Sequence, residues 1–145
     1  MKRFAFLITT VFSTLFFFGC EKEETVTAAE LPQQAKDFIS THFGNATIVS
    51  VEKEKEISHT SFDVVLNNGT TLDFNSSGEC TDIDGKTTPL PASVIPAKIL
   101  DYVQTQYPTD SIVSWEKDGQ HQEVQLGNNL ELKFDLDGNF LSLDN

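Results

Sequence analysis

Two stretches of the chain read as copies of one another. LPQQAKDFISTHFGNATIVSVEKE begins at Leu31, and IPAKILDYVQTQYPTDSIVSWEKD begins at Ile95. They align without gaps: Pro32 with Pro96, Phe38-Ile39 with Tyr102-Val103, Phe43 with Tyr107, Ile48-Val49-Ser50 with Ile112-Val113-Ser114, and Glu52-Lys53 with Glu116-Lys117. The second copy then drops four residues, after which VVLNNGTTLDFNSSGECTDIDG from Val64 matches VQLGNNLELKFDLDGNFLSLDN from Val124. Leu66 meets Leu126, Leu72 meets Leu132, Phe74 meets Phe134, Gly78 meets Gly138 and Ile83 meets Leu143. A repeated unit must fold twice in the same way, so this feature constrains the architecture more than any other.

Each copy predicts the same elements. Pro32 or Pro96 suits the first turn of a helix, where the missing N–H costs nothing. Ala35, Phe38, Ile39 and Phe43 fall on one helical stripe, as do Ile99, Tyr102, Val103 and Tyr107. Gly44 and Pro108 stop the helices. The β-branched runs from Thr47 to Val51 and from Ser111 to Trp115 predict a first strand. A hairpin follows: Phe62, Val64 and Leu66 alternate, Asn67-Asn68-Gly69 turns, and Thr70, Leu72 and Phe74 alternate back. In the second copy Gly127-Asn128-Asn129 turns between Leu126 and Leu130. A further turn at Ser77-Gly78 or Asp137-Gly138 leads to a last short strand. A unit of roughly 60 residues is marginal alone. The expectation is therefore α+β: two tandem helix-plus-antiparallel-strand repeats, residues 31–85 and 95–145, sharing one sheet with the helices on one face. Two separate small domains are the alternative, opposed by the short link from Lys86 to Ser93.

The openings LP…FI…HF…I…VE and IP…YV…QYP…I…WEKD, each followed by a V.L..G…L.F…G hairpin, resemble the PepSY-like family of exported bacterial proteins. That family is related to a β-lactamase-inhibitor-like fold, also built of tandem helix-plus-sheet repeats. The resemblance covers nearly all of residues 31–145. It implies an exported binding or inhibitor-like module. It brings no catalytic residues to carry over, since the matching positions are mostly apolar and turn positions, and fold does not imply function.

The N-terminus predicts export. Lys2 and Arg3 precede an almost wholly apolar run from Phe4 to Phe18, about 15 residues and so short for a membrane span but suited to a secretory signal. Gly19-Cys20 resembles the end of a lipobox, with Cys20 as lipid acceptor. Phe17 and Phe18 depart from the aliphatic and small residues usual at those positions, and secretion with a free cysteine is the alternative. Residues 1–19 are thus expected to be a lipoprotein signal peptide. Residues 20–30 are expected to be a tether, whose charged Glu21-Lys22-Glu23-Glu24 holds the folded part off the bilayer. An acidic stretch there also resembles the surface-export signal of some Gram-negative lipoproteins. The expected location is the cell envelope, anchored by lipid to the outer membrane, on its periplasmic or outer side.

The formal charge is −12, and removing residues 1–19 takes away Lys2 and Arg3 and no acid, giving −14. Such a chain is repelled by phosphate backbones and anionic lipid, which argues against nucleic acid as a partner and limits membrane contact to the anchor. Cys80 is then the only cysteine beyond Cys20, so no intrachain disulfide framework or cysteine metal cluster arises, and its alignment with Phe140 suggests packing.

Enzymatic chemistry finds no support. His42, His59 and His121 show no metal-ligand spacing, no serine sits in a nucleophile elbow, and no glycine loop would cradle phosphate. No catalytic residue and no cofactor is expected. Asp135, Asp137 and Asn139 in DLDGN are a weak metal candidate of calcium-loop type, echoed by Asp82 and Asp84. The distal glutamate is missing, and Asp-Gly is a strong turn signal, so a turn is favoured. Binding points instead to the sheet face away from the helices. Period two sends Asp63, Val65, Thr71 and Asp73 outward, with Glu123, Gln125, Glu131 and Lys133 in the second copy. Trp115, aligned with Val51, is a contact anchor if it lies on that face and a core residue if it faces the helices, the latter being favoured. The function expected is non-catalytic binding of a protein or peptide through the open face. A small-ligand or calcium-binding lipoprotein and a structural spacer are the alternatives.

Overall fold

The computed structural model describes residues 22–144, so Cys20 and the expected signal peptide lie outside the described residues. Nine strands form one antiparallel sheet in chain order: β1 Lys22–Val26, β2 Ile48–Lys55, β3 Thr60–Leu66, β4 Thr71–Asn75, β5 Cys80–Asp84, β6 Ile112–Lys117, β7 His121–Leu126, β8 Glu131–Asp135 and β9 Phe140–Asp144. Helix α1, Gln33–His42, connects β1 to β2, and α2, Ala97–Gln106, connects β5 to β6. The fold is α+β with an open sheet.

The helices form where the apolar stripes predict. Ala35 and Ile39 of α1 and Ile99 and Val103 of α2 are buried. They share one core cluster with Val51, Phe62, Val64, Leu66, Leu72, Phe74, Ile83, Trp115, Val124, Leu126, Leu132 and Phe134, the alternate residues of β2 to β8. Phe38 meets Phe74 edge-on at 5.8 Å between ring centroids, and Tyr102 meets Phe134 edge-on at 5.5 Å. These are the tilted geometries that aromatic quadrupoles favour.

Turn chemistry fixes the register. Leu66 and Leu126 each donate to the backbone carbonyl four residues on, at 2.9 Å to Thr70 and Leu130, closing the hairpins. Asn75 Oδ1 accepts the N–H groups of Ser77 and Glu79 at 3.0 Å each, and Asp135 Oδ1 accepts those of Asp137 and Asn139 at 3.0 and 2.7 Å. The next residues to turn are Gly78 at φ +89° and Gly138 at φ +80°. The ladder slips at Ile48/Ser50 and at Ile112/Ser114, and again at Asp73/Phe74 and at Lys133/Phe134, in aligned positions of the two stretches. The link between them is held down, with Gly85 N–H donating to Val113 O at 2.8 Å and Leu90 N–H to Ile112 O at 2.9 Å.

The expected tether needs correction. Within residues 20–30, Lys22–Val26 is a strand paired with β2, and Ala28–Glu30 is a short 3₁₀ turn. A charge-rich stretch with one strong apolar residue shows no periodicity, yet Val26 stands opposite Val51 and packs on the core. Glu24 stands opposite Lys53, whose ammonium lies 3.7 Å from Glu30 and 5.4 Å from the Phe62 ring centroid. The eight-residue β2 would otherwise carry an open row of backbone polar groups, which β1 satisfies.

Candidate functional site

Since every second residue of β2 to β8 enters the core, the intervening ones stand on the opposite face. Register then places them in cross-strand rows. Glu52 is opposite Asp63, Asp63 opposite Asp73, Asp73 opposite Asp82, Asp82 opposite Glu116, and Glu116 opposite Glu123. Six carboxylates therefore stand on six adjacent strands, a line of about 25 Å at the usual strand spacing. Glu123 faces Lys133, which forms an ion pair with it, and Lys133 faces Ser142. The neighbouring row is less acidic and its acids are not contiguous along most of it: Ser50, Val65, Thr71, Asp84, Ser114, Gln125, Glu131 and Asp144. The unbroken run of acids lies in the one line from Glu52 to Glu123.

Like charges directly opposite one another destabilise a sheet, and here they add to burial in raising three of these groups. Asp63, Asp73 and Asp82 are each pushed up to about 6. Partial burial is the largest cause for all three, followed by Asp73 for Asp63, by Asp82 for Asp73, and by Glu116 for Asp82. At the far end Glu123 is lowered, first by its hydrogen bond with Lys133, and Glu131 is raised, first by its hydrogen bond with Glu123.

The residues singled out in the sequence divide on this map. Glu123 and Lys133 lie in the acidic row, and Gln125 and Glu131 in the row beside it. Trp115 as a contact anchor on this face is corrected: it stands opposite Ile83 and Val124, is 7% exposed, and belongs to the core. Its indole Nε1–H donates to Gln122 Oε1 at 3.1 Å, while Gln122 Nε2 donates to the carbonyls of Asp135 and Leu136 at 3.3 and 3.2 Å. That network lines a cleft of about 560 Å³ beside the first turn of α2. A buried tryptophan with a satisfied N–H is a packing residue. Glu52, Asp82 and Glu116 were not singled out for the face. Asp82 read as part of a turn, but it lies inside β5, where the slip at Asp73/Phe74 sends it to the outer side. The β5–β6 pairing that adds Glu116 to the line joins strands separated by a helix, and local sequence carries little of that.

The weak metal candidate is a turn. Both carboxylate oxygens of Asp135 accept hydrogen bonds within it, Oδ2 from Asn139 Nδ2 at 2.8 Å, and its carboxyl is lowered, first by Asn139. Asp84 likewise accepts the Lys86 N–H at 2.7 Å and pairs with the Lys86 ammonium. Among the described residues no three His, Cys, Asp or Glu side chains are grouped so as to hold a metal ion. The histidines do not converge: His42 bonds Ser93, His59 pairs with Glu56, and His121 lies 3.9 Å from Asp118. Cys80 is buried against Phe74, and burial pushes its thiol up to about 12, which leaves no reactive thiolate.

Comparison with known proteins agrees with the fold. Among solved structures, a "putative calcium-regulated periplasmic protein" from Bacteroides thetaiotaomicron shares 34% identity, with a TM-score of 0.81 over 85% of this chain and 97% of that one. A "putative periplasmic protein" of the DUF2874 family from Bacteroides vulgatus shares 34% identity, with a TM-score of 0.83 over 88% of this chain and 100% of that one. Another periplasmic protein of unknown function from Bacteroides vulgatus shares 33% identity, with a TM-score of 0.81. No curated protein matches. The family model described as "Putative beta-lactamase-inhibitor-like, PepSY-like" matches residues 19–61 and 60–142, so the chain belongs to the PepSY-like family.

Proposed function

We propose that the chain is a non-catalytic module of the cell envelope that binds a cationic protein or peptide on the open face of its sheet. The observation that carries this reading is the line of carboxylates from Glu52 to Glu123. Proteins do not retain mutually raised carboxylates on a folded surface for stability, and such a line complements a row of ammonium or guanidinium groups. The architecture suits the task. We read it as two tandem helix-plus-strand units sharing one sheet, with both helices on one face and the other face left bare. The aligned slips and turns support the duplication. Periplasmic relatives support the envelope location, and Cys20 fits a lipid anchor two residues before β1. With β1 replacing most of the tether, such an anchor would hold the β1 edge close to the bilayer. Mass spectrometry of the purified chain would show the acyl chains on a peptide beginning at Cys20, and an unmodified thiol there would end the lipoprotein reading.

Calcium binding is the second reading, favoured by the description of one relative as calcium-regulated. The test is titration with oligolysine and, separately, with calcium. Replacing Asp63, Asp73 and Asp82 together by asparagine should weaken oligolysine binding at least tenfold and flatten its salt dependence. Equal binding by the variant would end the open-face reading. Saturable calcium binding lost in the variant, with no effect on oligolysine, would favour the second reading.

A further inference from the structure

The two edges of the sheet differ in kind. The β1 edge is blunted by charge, reading Lys-Glu-Glu-Thr-Val, with Glu23 and Glu24 exposed. The β9 edge reads Phe-Leu-Ser-Leu-Asp, and its apolar side chains are open: Phe140 and Leu143 are each 38% exposed and Leu141 is 50% exposed. Charge on an edge strand guards against unwanted pairing; an apolar edge invites it.

The aligned strand in the first half shows what such an edge accepts. β5 aligns with β9, Ile83 with Leu143 and Asp82 with Ser142. Each carries one extra residue where its ladder slips, Thr81 in β5 and Leu141 in β9. In spite of that slip, β5 takes β6 on its outer side through Asp82, Ile83 and Asp84, with Trp115 set opposite Ile83. That contact leaves Ile83 fully buried, whereas Leu143 stays open. β9 therefore holds the same pairing edge, and among the described residues only β8 pairs with it.

We propose that the outer edge of β9 adds an extended segment of a cationic partner protein as a tenth, antiparallel strand, with an apolar residue opposite Leu143 and a basic residue opposite Asp144. Charge selects this occupant. Asp144 lies on the edge itself with Glu131 opposite it, and Glu123 and Asp144 are among the groups that hold Glu131 up. A second copy of the chain would bring its own net negative charge against this one. The segment's backbone would take up the open N–H and C=O groups, and alternate side chains would cover Phe140 and Leu143. This site is distinct from the open face, and the two can fail separately.

The test uses the full chain in mild detergent and two probes: a short capped peptide of alternating lysine and valine, and the same peptide N-methylated at every residue. The second keeps each charge and side chain and cannot pair as a strand. Strand addition predicts that the plain peptide binds at least tenfold more tightly and slows amide exchange at Leu143, whose N–H points away from β8 in the alternation of an antiparallel ladder. The Asp63, Asp73 and Asp82 asparagine variant should keep that protection. Equal binding of the two probes, or protection confined to β1 or to the open-face strands, would overturn the proposal. So would no binding, or sedimentation showing β9 covered by a second copy. Equal binding of both probes that is lost in the asparagine variant would leave the open-face reading standing while ending this one.

Discussion

At the scale of single residues, the acidic row makes a prediction about pH. Asp63, Asp73 and Asp82 rise from the ordinary aspartate value of 3.8 to about 6 on folding. The folded chain therefore keeps protons that the unfolded chain releases between about pH 4 and pH 6, so stability falls as pH rises through that window. Groups that folding lowers, among them Glu79 and Asp84, act the other way, and their contribution is lost as the medium becomes acid below their ordinary values. The chain should melt at a higher temperature at pH 5 than at pH 7.5. The three aspartates are partly exposed, so solvent screening cuts their joint effect to about 1 kcal/mol. Thermal unfolding across that range checks it, and the triple asparagine variant should show a flatter profile and a higher melting temperature at pH 7.5. A wild-type melting temperature that climbs from pH 5 to 7.5 would contradict the argument. Only part of this was legible beforehand. Alternation with Val64 and Phe74 exposes Asp63 and Asp73 in the sequence itself. Asp82 depends on a slip in the ladder, and Glu116 on a pairing across a helix.

At the scale of elements, the turn after β4 does more than reverse the chain. Gly78 sits at φ +89°, and a Cβ added there would lie 2.8 Å from Pro32 Cβ and 2.9 Å from Ala35 N, at the start of α1. Gly69, in the β3–β4 turn, has φ +87° and open space around it. The backbone strain of an alanine is nearly the same at the two sites, so their difference isolates the contact between turn and helix. Gly69→Ala should cost about 1 kcal/mol. Gly78→Ala should cost about 3 kcal/mol or more, because helix or turn must also move. Urea denaturation of the two variants measures the gap, and equal costs would mean that the turn does not brace α1. Both glycines are visible in the sequence as turn signals, but only the fold shows that one of them touches a helix. Elements with strong periodicity, such as α1, α2 and the hairpins, were readable in the same way. β1 was not, because one apolar residue among charges gives no period to detect.

At the scale of the whole molecule, the question is whether the two halves unfold together. They meet along β5 and β6, a seam of only three residue pairs: Asp82 with Glu116, Ile83 with Trp115, and Asp84 with Ser114. Two of those pairs add charge or polarity on the outer face, and Asp82 beside Glu116 is repulsive. The seam therefore depends on Ile83 and Trp115, both inside one core cluster that contains residues of each half. A half of roughly 60 residues has a marginal core by itself, so a single cooperative transition is expected. The chain carries its own reporters. Trp115 is its one tryptophan and lies in the second half, while the thiol of Cys80 is buried in the first. Indole emission and thiol labelling resolved at Cys80 should change at the same urea concentration. Trp115→Ala should lower stability by about 3–5 kcal/mol, since it opens a cavity and leaves Gln122 Oε1 without its donor. It also strips the seam of its larger partner, so Cys80 labelling in this variant should move with the loss of β6–β9 amide protection if the halves are coupled. If Cys80 stayed protected while those amides exchanged, the first half would be an autonomous domain, and the shared sheet would be a docking of two units rather than one folding unit.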